Sequence, residues 1–337
     1  MTLAKRRPQA LLAATLLLAA CTASPGGSPA ASSGGEASAA AYPIGDLSIM
    51  APADPGGGWD STARAMQSAL TSGVVDVNVD VYNVGGAAGT IGLAQFVEDA
   101  SGDPNQLMVM GLVMVGGILT NDSAVTLDQA TPIASLTTEW EAIVVPADSK
   151  YETLEQLVDD FKAAPTSISW GGGSAGGTDH MVVALLAKAA GVDPGGINYI
   201  AHAGGGELLP ALLSGGVTAG VSGISEFADS VEAGDLRYLA VTSDTPVDGV
   251  DSPTVTDAGF DVVISNWRGV MAPPEISDAD RDAIVGLIEK MHDSAAWQEA
   301  LTSNGWTDFL KTGDEYEDFL AQEQTRVEQV LRDIGLI

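Results

Sequence analysis

Two kinds of residue stand where they could do chemistry. The first is glycine at strand-to-helix turns: Gly56-Gly57-Gly58, Gly85-Gly86 through Gly89, Gly171 through Gly177, and Gly204-Gly205-Gly206. Each follows a segment that reads as strand and opens one that reads as helix. The first N–H groups of a helix have no partner within it, and the helix dipole places partial positive charge there. Glycine lets a ligand approach that bare backbone. Such turns suit a carboxylate or a phosphate, and in an open α/β sheet they gather at the carboxyl edge of the strands. One turn alone is only a tight bend. Four, in a chain with 14 Lys and Arg among 337 residues, point to an anion held by backbone amides rather than by a cationic cluster.

The second is Ser174. Gly172-Gly173-Ser174-Ala175-Gly176 fits the G-x-S-x-G nucleophile elbow, which would need a later histidine, His202 or His292. Gly171 to Gly176 also fits a dinucleotide fingerprint, but it lies mid-chain and Asp193 falls in a turn. Glycine-rich composition produces both matches by chance; a serine hydrolase using Ser174 is the rival of a different class. His180 and His202 lack metal-ligand spacing, so no metal and no cofactor is expected. Asp60 and Asp179 stand at helix starts, where a carboxylate caps free amides.

Positioning these turns takes alternating strands and helices. Leu47 to Ala51, Asp76 to Tyr82 and Gln106 to Gly111 read as strands, with Trp59 to Leu70 and Thr90 to Asp99 as helices between them. The logic repeats from Ala142 to Val145 through a helix at Thr153 to Ala163, strands at Ser167 to Trp170 and Ile197 to Ile200, helices ending at Ala190 and Leu213, and strands at Val217 to Val221 and Arg237 to Val241. Alternation of this kind is the pattern of an open α/β sheet. The end reads as purely helical. Ser277 and Asp280 fit a capping box. Ile284, Leu287, Ile288 and Met291 share one face, as do Tyr316, Phe319, Leu320, Val327, Val330 and Leu331.

Lys5, Arg6 and Arg7 followed by apolar Leu11 to Ala20 read as a secretory signal peptide over residues 1–20. The run is shorter than the roughly 20 residues a bilayer span requires. It ends in Leu18-Ala19-Ala20-Cys21, similar to a bacterial lipobox, which predicts cleavage before Cys21 and lipidation of its thiol. Cys21 is the single cysteine, which excludes a disulfide framework. Residues 21–42 then form the anchor and a Ser-, Ala-, Gly- and Pro-rich flexible tether. Losing the leader leaves 11 cations against 45 acids, a surface that repels nucleic acid and anionic lipid. The expectation is a monomer fixed to the membrane by lipid alone.

Pro55-Gly56-Gly57-Gly58-Trp59-Asp60 and Asn83-Val84-Gly85-Gly86-Ala87-Ala88-Gly89-Thr90-Ile91-Gly92 resemble the opening of the substrate-binding receptors of tripartite tricarboxylate transporters, the Bug family. Gly171 to His180 resembles the family's second-lobe glycine loop. Tyr199 to Glu207, Ser222-Gly223, Asn266-Trp267-Arg268-Gly269 and Pro274 to Asp280 continue the match, from roughly Ile44 to the end. The resemblance implies a two-lobed, Venus-flytrap fold of the type II periplasmic-binding-protein class with two crossover strands, near Glu141 to Pro146 and Val262 to Met271. Lobe 1 would be 43–140 with 270–337, and lobe 2 would be 141–269. It also implies a small di- or tricarboxylate ligand, citrate-like, delivered to membrane transporter subunits; a sensor that hands its ligand to a signalling protein is a second alternative. Carried over by position, lobe 1 would offer Ala53, Gly57, Gly58, Trp59, Gly86, Ala87, Gly89 and Thr90, with Met114 on the cleft wall. Lobe 2 would offer Ser174, Gly177, Thr178, Asp179, Ala203, Gly204 and Gly205. Many members carry Ser at the position of Gly177, so Thr178 is expected to supply that hydroxyl. Arg268 near the hinge is either a ligand contact or half of an ion pair.

Overall fold

The computed structural model describes residues 42–43 and 45–337. The leader, Cys21 and nearly all of the tether lie outside the described residues.

The first half is a run of strand–helix units: β1 (Leu47–Ala51), α1 (Gly58–Thr71), β2 (Val79–Asn83), α2 (Thr90–Asp99), β3 (Gln106–Gly111) and α3 (Leu112–Thr120). β1 pairs in parallel with both β2 and β3. α3 follows β3 without a linker. It is apolar on every side, so no helical periodicity marks it in the sequence. The chain then enters β4 (Thr131–Pro146), a strand of 16 residues that the sequence reading caught only at its end. The second half continues with α4 (Leu154–Ala163), β5 (Ser169–Gly172), α5 (Thr178–Ala189), β6 (Asn198–Ala201), α6 (Gly205–Leu213), β7 (Ala219–Gly223), α7 (Ile224–Glu232) and β8 (Leu236–Val241). β9 (Ser265–Ala272), α8 (Asp278–His292), α9 (Ala295–Ser303), β10 (Thr307–Thr312) and α10 (Gly313–Asp333) complete it.

β4 joins two half-sheets. Thr131 to Trp140 pair antiparallel with β9, and β10 lies along the other edge of this stretch. Glu141 to Val144 pair with β7, while Ala142 to Pro146 pair with β8. One half-sheet therefore runs β2-β1-β3-β9-β4, and the other continues β4-β7-β5-β6. The second crossing passes from β8 through residues 242–264 to β9. β9 is bonded to β3 and to the first part of β4, with Gly269 opposite Met110 and Ser135. The purely helical ending is corrected by β10. Its six residues are too few to show a period, and they become a strand because β4 offers an open edge.

The capping box forms as its spacing requires: Asp280 N donates to Ser277 Oγ at 3.1 Å, and Ser277 N to Asp280 Oδ2 at 3.3 Å. Ile284, Leu287, Ile288 and Met291 of α8 are buried, as are Tyr316, Leu320, Val327 and Leu331 of α10. These faces cover the half-sheet holding β4 and β9, and the main core runs through both halves. A smaller cluster around Phe227, Leu208 and Leu212 lies beneath α6 and α7. Among the described residues no helix is long and apolar enough to cross a membrane.

Candidate functional site

All four glycine turns open a helix after a strand. The β1–α1 turn is braced by Asp60, whose Oδ2 accepts from the Gly56 amide at 3.0 Å and from Arg64 Nε at 3.0 Å. Asn83 at the end of β2 donates to Asp60 Oδ1 at 2.9 Å and to the Ala53 carbonyl at 3.0 Å, tying the first two turns together. Burial pushes the Asp60 carboxyl up, but hydrogen bonds from Arg64, Gly56 and Asn83 outweigh it and hold the group below the usual range. The β2–α2 turn has four successive residues with positive φ: Gly86 at 119°, Ala87 at 49°, Ala88 at 54° and Gly89 at 85°. Two alanines in the left-handed region store about 1–3 kcal/mol each of strain, and the packing that holds them is close. A Cβ on Gly89 would stand 2.7 Å from the Trp59 ring, and one on Gly117 of α3 would strike Ala88.

The opposite wall comes from the second half. Asp179 Oδ2 accepts from the Gly173 amide at 2.6 Å. His180 Nδ1 accepts from Gly176 N at 3.1 Å, with its ring stacked on Tyr199 at 4.1 Å. Burial holds the His180 imidazole down at about 4, so it is neutral. Tyr199 Oη donates to Gly173 O at 2.8 Å, and His202 Nδ1 stands 3.2 Å from Gly172 O. Ala203 N donates to Glu207 Oε2 at 3.0 Å. Several amides expected to be bare are thus already committed: Gly56, Gly173, Gly176 and Ala203 to side chains, and Gly89 to the Gly86 carbonyl at 3.0 Å.

Crossing strands make the floor. Arg268 of β9 is buried, and its Nη2 donates to Glu139 Oε2 of β4 at 2.6 Å. Glu139 also accepts from Ser225 N at 2.9 Å and from the Ser225 hydroxyl. The guanidinium lies over the Trp306 ring at 5.4 Å and against Gly58, while its buried Nη1 has no acceptor among the described residues. Arg268 is therefore half of a buried ion pair and also part of the cavity lining. Thr178 Oγ1 donates to Asn266 Oδ1 at 3.3 Å. Glu141, one side-chain repeat beyond Glu139, is fully buried, and among the described residues neither carboxyl oxygen has a partner. Desolvation first, then Asp179, Glu139 and Glu226, push it well above the usual carboxylate range.

Walls and floor enclose a cavity of about 350 Å³. Ala53, Gly57, Gly58, Trp59, Gly86, Ala87 and Gly89 line it from the first half. Ser174, Gly177, Thr178, Asp179, Ala203 and Gly204 line it from the second. Two expected residues do not. Thr90 turns its hydroxyl back onto the Ala87 carbonyl at 2.9 Å. Met114 is fully buried behind Gly89 because α3 packs it inward. Gly205 starts α6. The sequence did not point to Val113, Asn121, Ser222, Glu226 and Asn266 as lining residues. Val113 and Asn121 required knowing that α3 exists, and Ser222 and Glu226 required the packing of β7 and α7 on β4. The halves touch around the cavity. A Cβ on Gly204 would meet Gly57 Cα at 3.4 Å, one on Gly177 would meet Val113 at 3.1 Å, and one on Gly116 would collide with the Gly176 carbonyl.

Ser174 lines the cavity, yet no hydrogen bond reaches its hydroxyl among the described residues. His180 Nδ1 is occupied by Gly176, and His202 faces Gly172. A nucleophile elbow needs a base within hydrogen-bond reach, and this geometry brings none. Asp193 caps its own turn through Gly195 N, away from any nucleotide role. Among the described residues no three His, Cys, Asp or Glu side chains converge as metal ligands.

The chain is 27% identical over 310 residues to Protein BugT of Bordetella pertussis, covering 88% of this chain and 92% of that one. Its fold matches that of MatC from Rhodopseudomonas palustris, solved with bound malate, at a TM-score of 0.75 and 20% identity, over 86% of this chain and 100% of that one. It also matches the R. palustris protein Rpa4515, solved with adipate, at a TM-score of 0.77 and 20% identity, over 87% and 98% of the two chains. Both solved structures share the two-lobed α/β fold of this chain. The sequence pattern described as Tripartite tricarboxylate transporter family receptor matches residues 62–336. The chain belongs to the tripartite tricarboxylate transporter receptor family.

Proposed function

We propose that this protein is an extracytoplasmic receptor, not an enzyme. It captures a small di- or tricarboxylate of citrate-like size and delivers it to the membrane subunits of a tripartite tricarboxylate transporter. The observation that carries this reading is the cavity of about 350 Å³ where four strand–glycine–helix turns meet above the buried Arg268. Helix N-termini and one guanidinium favour carboxylate oxygens, and the volume suits a molecule of a dozen or so heavy atoms. Malate and adipate in the two structural relatives are ligands of that class.

In this reading the lobes are 43–140 with 270–337, and 141–269, hinged on β4 and on the segment leading to β9. The touching glycines Gly57, Gly204, Gly116 and Gly176 are the seam that opens to admit ligand. The mature chain is a monomer anchored through lipid on Cys21. Labelled palmitate should enter the wild type and not Cys21→Ser.

A thermal-shift screen with citrate, malate and adipate tests the ligand class. At one hundred times Kd, a ligand binding only the folded state adds about 2.7 kcal/mol, a shift of several degrees. No shift with any small carboxylate overturns the reading. Ser174→Ala should weaken binding by no more than about 0.5–1.5 kcal/mol, and acylation of Ser174 by a fluorophosphonate probe would instead establish a hydrolase.

A further inference from the structure

A carboxylate entering this cavity meets more negative charge than positive. Asp54, Asp179 and Glu226 line it, and Arg268, the cation in its lining, already serves Glu139 at 2.6 Å. We propose that Asp179 is a specificity-determining residue that meets the ligand as a carboxylic acid, so that each carboxylate captured brings one proton from solution onto this side chain. The proposal rests on the reading that the ligand is a small carboxylate, and it goes further by naming the protonation state of the site.

The geometry around Asp179 leaves little alternative. The residue opens α5 inside the cavity and is 6% exposed. Its Oδ2 is held by the Gly173 amide, and the residue's own amide also bonds the carboxyl, so the group is fixed in place at the cavity wall. The titratable and charged groups around it come from every neighbouring element. Glu139 and Glu141 face it from β4, and Glu226 of α7 acts on Glu141. The Tyr199 phenol stands on β6, and His202 on the turn beyond it. His180 on its own helix is neutral. Arg268 of β9 acts on Asp179 from the floor while bonded to Glu139. A second anion beside an ionised Asp179 would be a like-charge pair in a desolvated cavity, and such pairs share a proton instead. The acid–carboxylate hydrogen bond that results is short and charge-assisted.

Arg268 adds a donor beside this wall: the residue lines the cavity, and among the described residues its buried Nη1 has no acceptor. An oxyanion between Arg268 and Asp179 would draw on that donor and on the Asp179 proton together. Even in the empty site, burial raises Asp179 to about 6. Most molecules at neutral pH must therefore gain a proton on binding, and few must at pH 5.

Calorimetric titration with malate at pH 7.5, run in phosphate and in Tris, reads the proton directly, because malate itself is fully ionised there. The expected result is uptake of about one proton per malate, with affinity falling by up to about tenfold per pH unit above pH 6 and level below it. In Asp179→Asn the uptake should vanish and the profile flatten. Wild-type binding without uptake overturns the proposal, as does uptake that persists in Asp179→Asn. Aspartate binding better than malate, without uptake and only with Asp179 intact, overturns it too, since Asp179 would then be the anionic partner of an ammonium group. Failure of citrate, malate and adipate to bind at any pH from 5 to 8 sinks the carboxylate reading and this inference with it. The wild-type buffer comparison stands even if the variant does not fold.

Discussion

The two walls of the cavity use one backbone device with opposite electrostatics. In the β1–α1 turn, Asp60 caps the Gly56 amide and is surrounded by Arg64 and Asn83, so its charge is held below the usual pKa range. In the β5–α5 turn, Asp179 caps the Gly173 amide in the same fashion, but burial first and then Glu139 push it up to about 6. A carboxylate at a helix start is therefore not one kind of residue. On the first wall it is a brace that stays ionised. On the second it is a group whose charge depends on what enters the cavity. Desolvation comes first in the difference, and the cations add to it: Arg64 hydrogen-bonds Asp60 directly, whereas Arg268 acts on Asp179 only at a distance while bonded to Glu139.

The largest expected effect comes from breaking that commitment. Arg268→Ala leaves Glu139 buried without its cation, and such changes cost about 3–5 kcal/mol. Urea unfolding measures it; a cost under about 1 kcal/mol would mean that the Ser225 contacts alone satisfy Glu139 and that the contrast between the walls has another cause.

Next in size are the glycines. Gly89→Val places a branched side chain at φ 85°, against Trp59 and Met114. It should cost about 2–4 kcal/mol from left-handed strain and overpacking together, with ligand binding lost. Gly206 in α6 has open space around it, so Gly206→Ala should stabilise by up to about 1 kcal/mol. Equal penalties at the two positions would erase the claim that the first wall is the strained one.

The pH dependence of stability sharpens the comparison further. Asp60 has a lowered folded pKa, so its contribution is present above the unfolded value near 4 and is lost as pH falls through the folded one. Asp60→Asn should cost about 1–2 kcal/mol at pH 7 and less in acid. Asp179 has a raised folded pKa, so the wild type should lose stability as pH rises from about 4 to about 6, and Asp179→Asn should not. Parallel denaturant titrations at pH 3, 5 and 7 give both signs, and the same sign for both residues would be fatal to the contrast.

The smallest effect is expected at Arg64. It is half-exposed and pairs with Asp60 at i,i+4, an arrangement worth under about 1 kcal/mol. Loss of ligand binding in Arg64→Ala would show that a surface cation, not the turns and Arg268, recognises the anion.

Much of this was legible in the residues. Strand–glycine–helix order put the four turns at strand ends, because such a turn is a local property of a few consecutive residues, and the family resemblance brought most of the lining from Ala53 to Gly89 and from Ser174 to Gly204 into one cleft. The capping box at Ser277 and the buried faces of α8 and α10 follow from spacing alone for the same reason. α3 escaped because a helix apolar all round shows no period, and β10 because six residues become a strand only when β4 lies beside them.

What only the tertiary structure decided is the electrical state of the site. Arg268 and Glu139 stand 129 positions apart, and nothing in either neighbourhood announces the pair. Asp60 and Asp179 look alike in sequence, each an acid just inside a glycine-opened helix. Their pKa values part because desolvation and Coulomb interaction depend on distance through space rather than along the chain. Those distances were set when β4 and β9 crossed beneath the two walls.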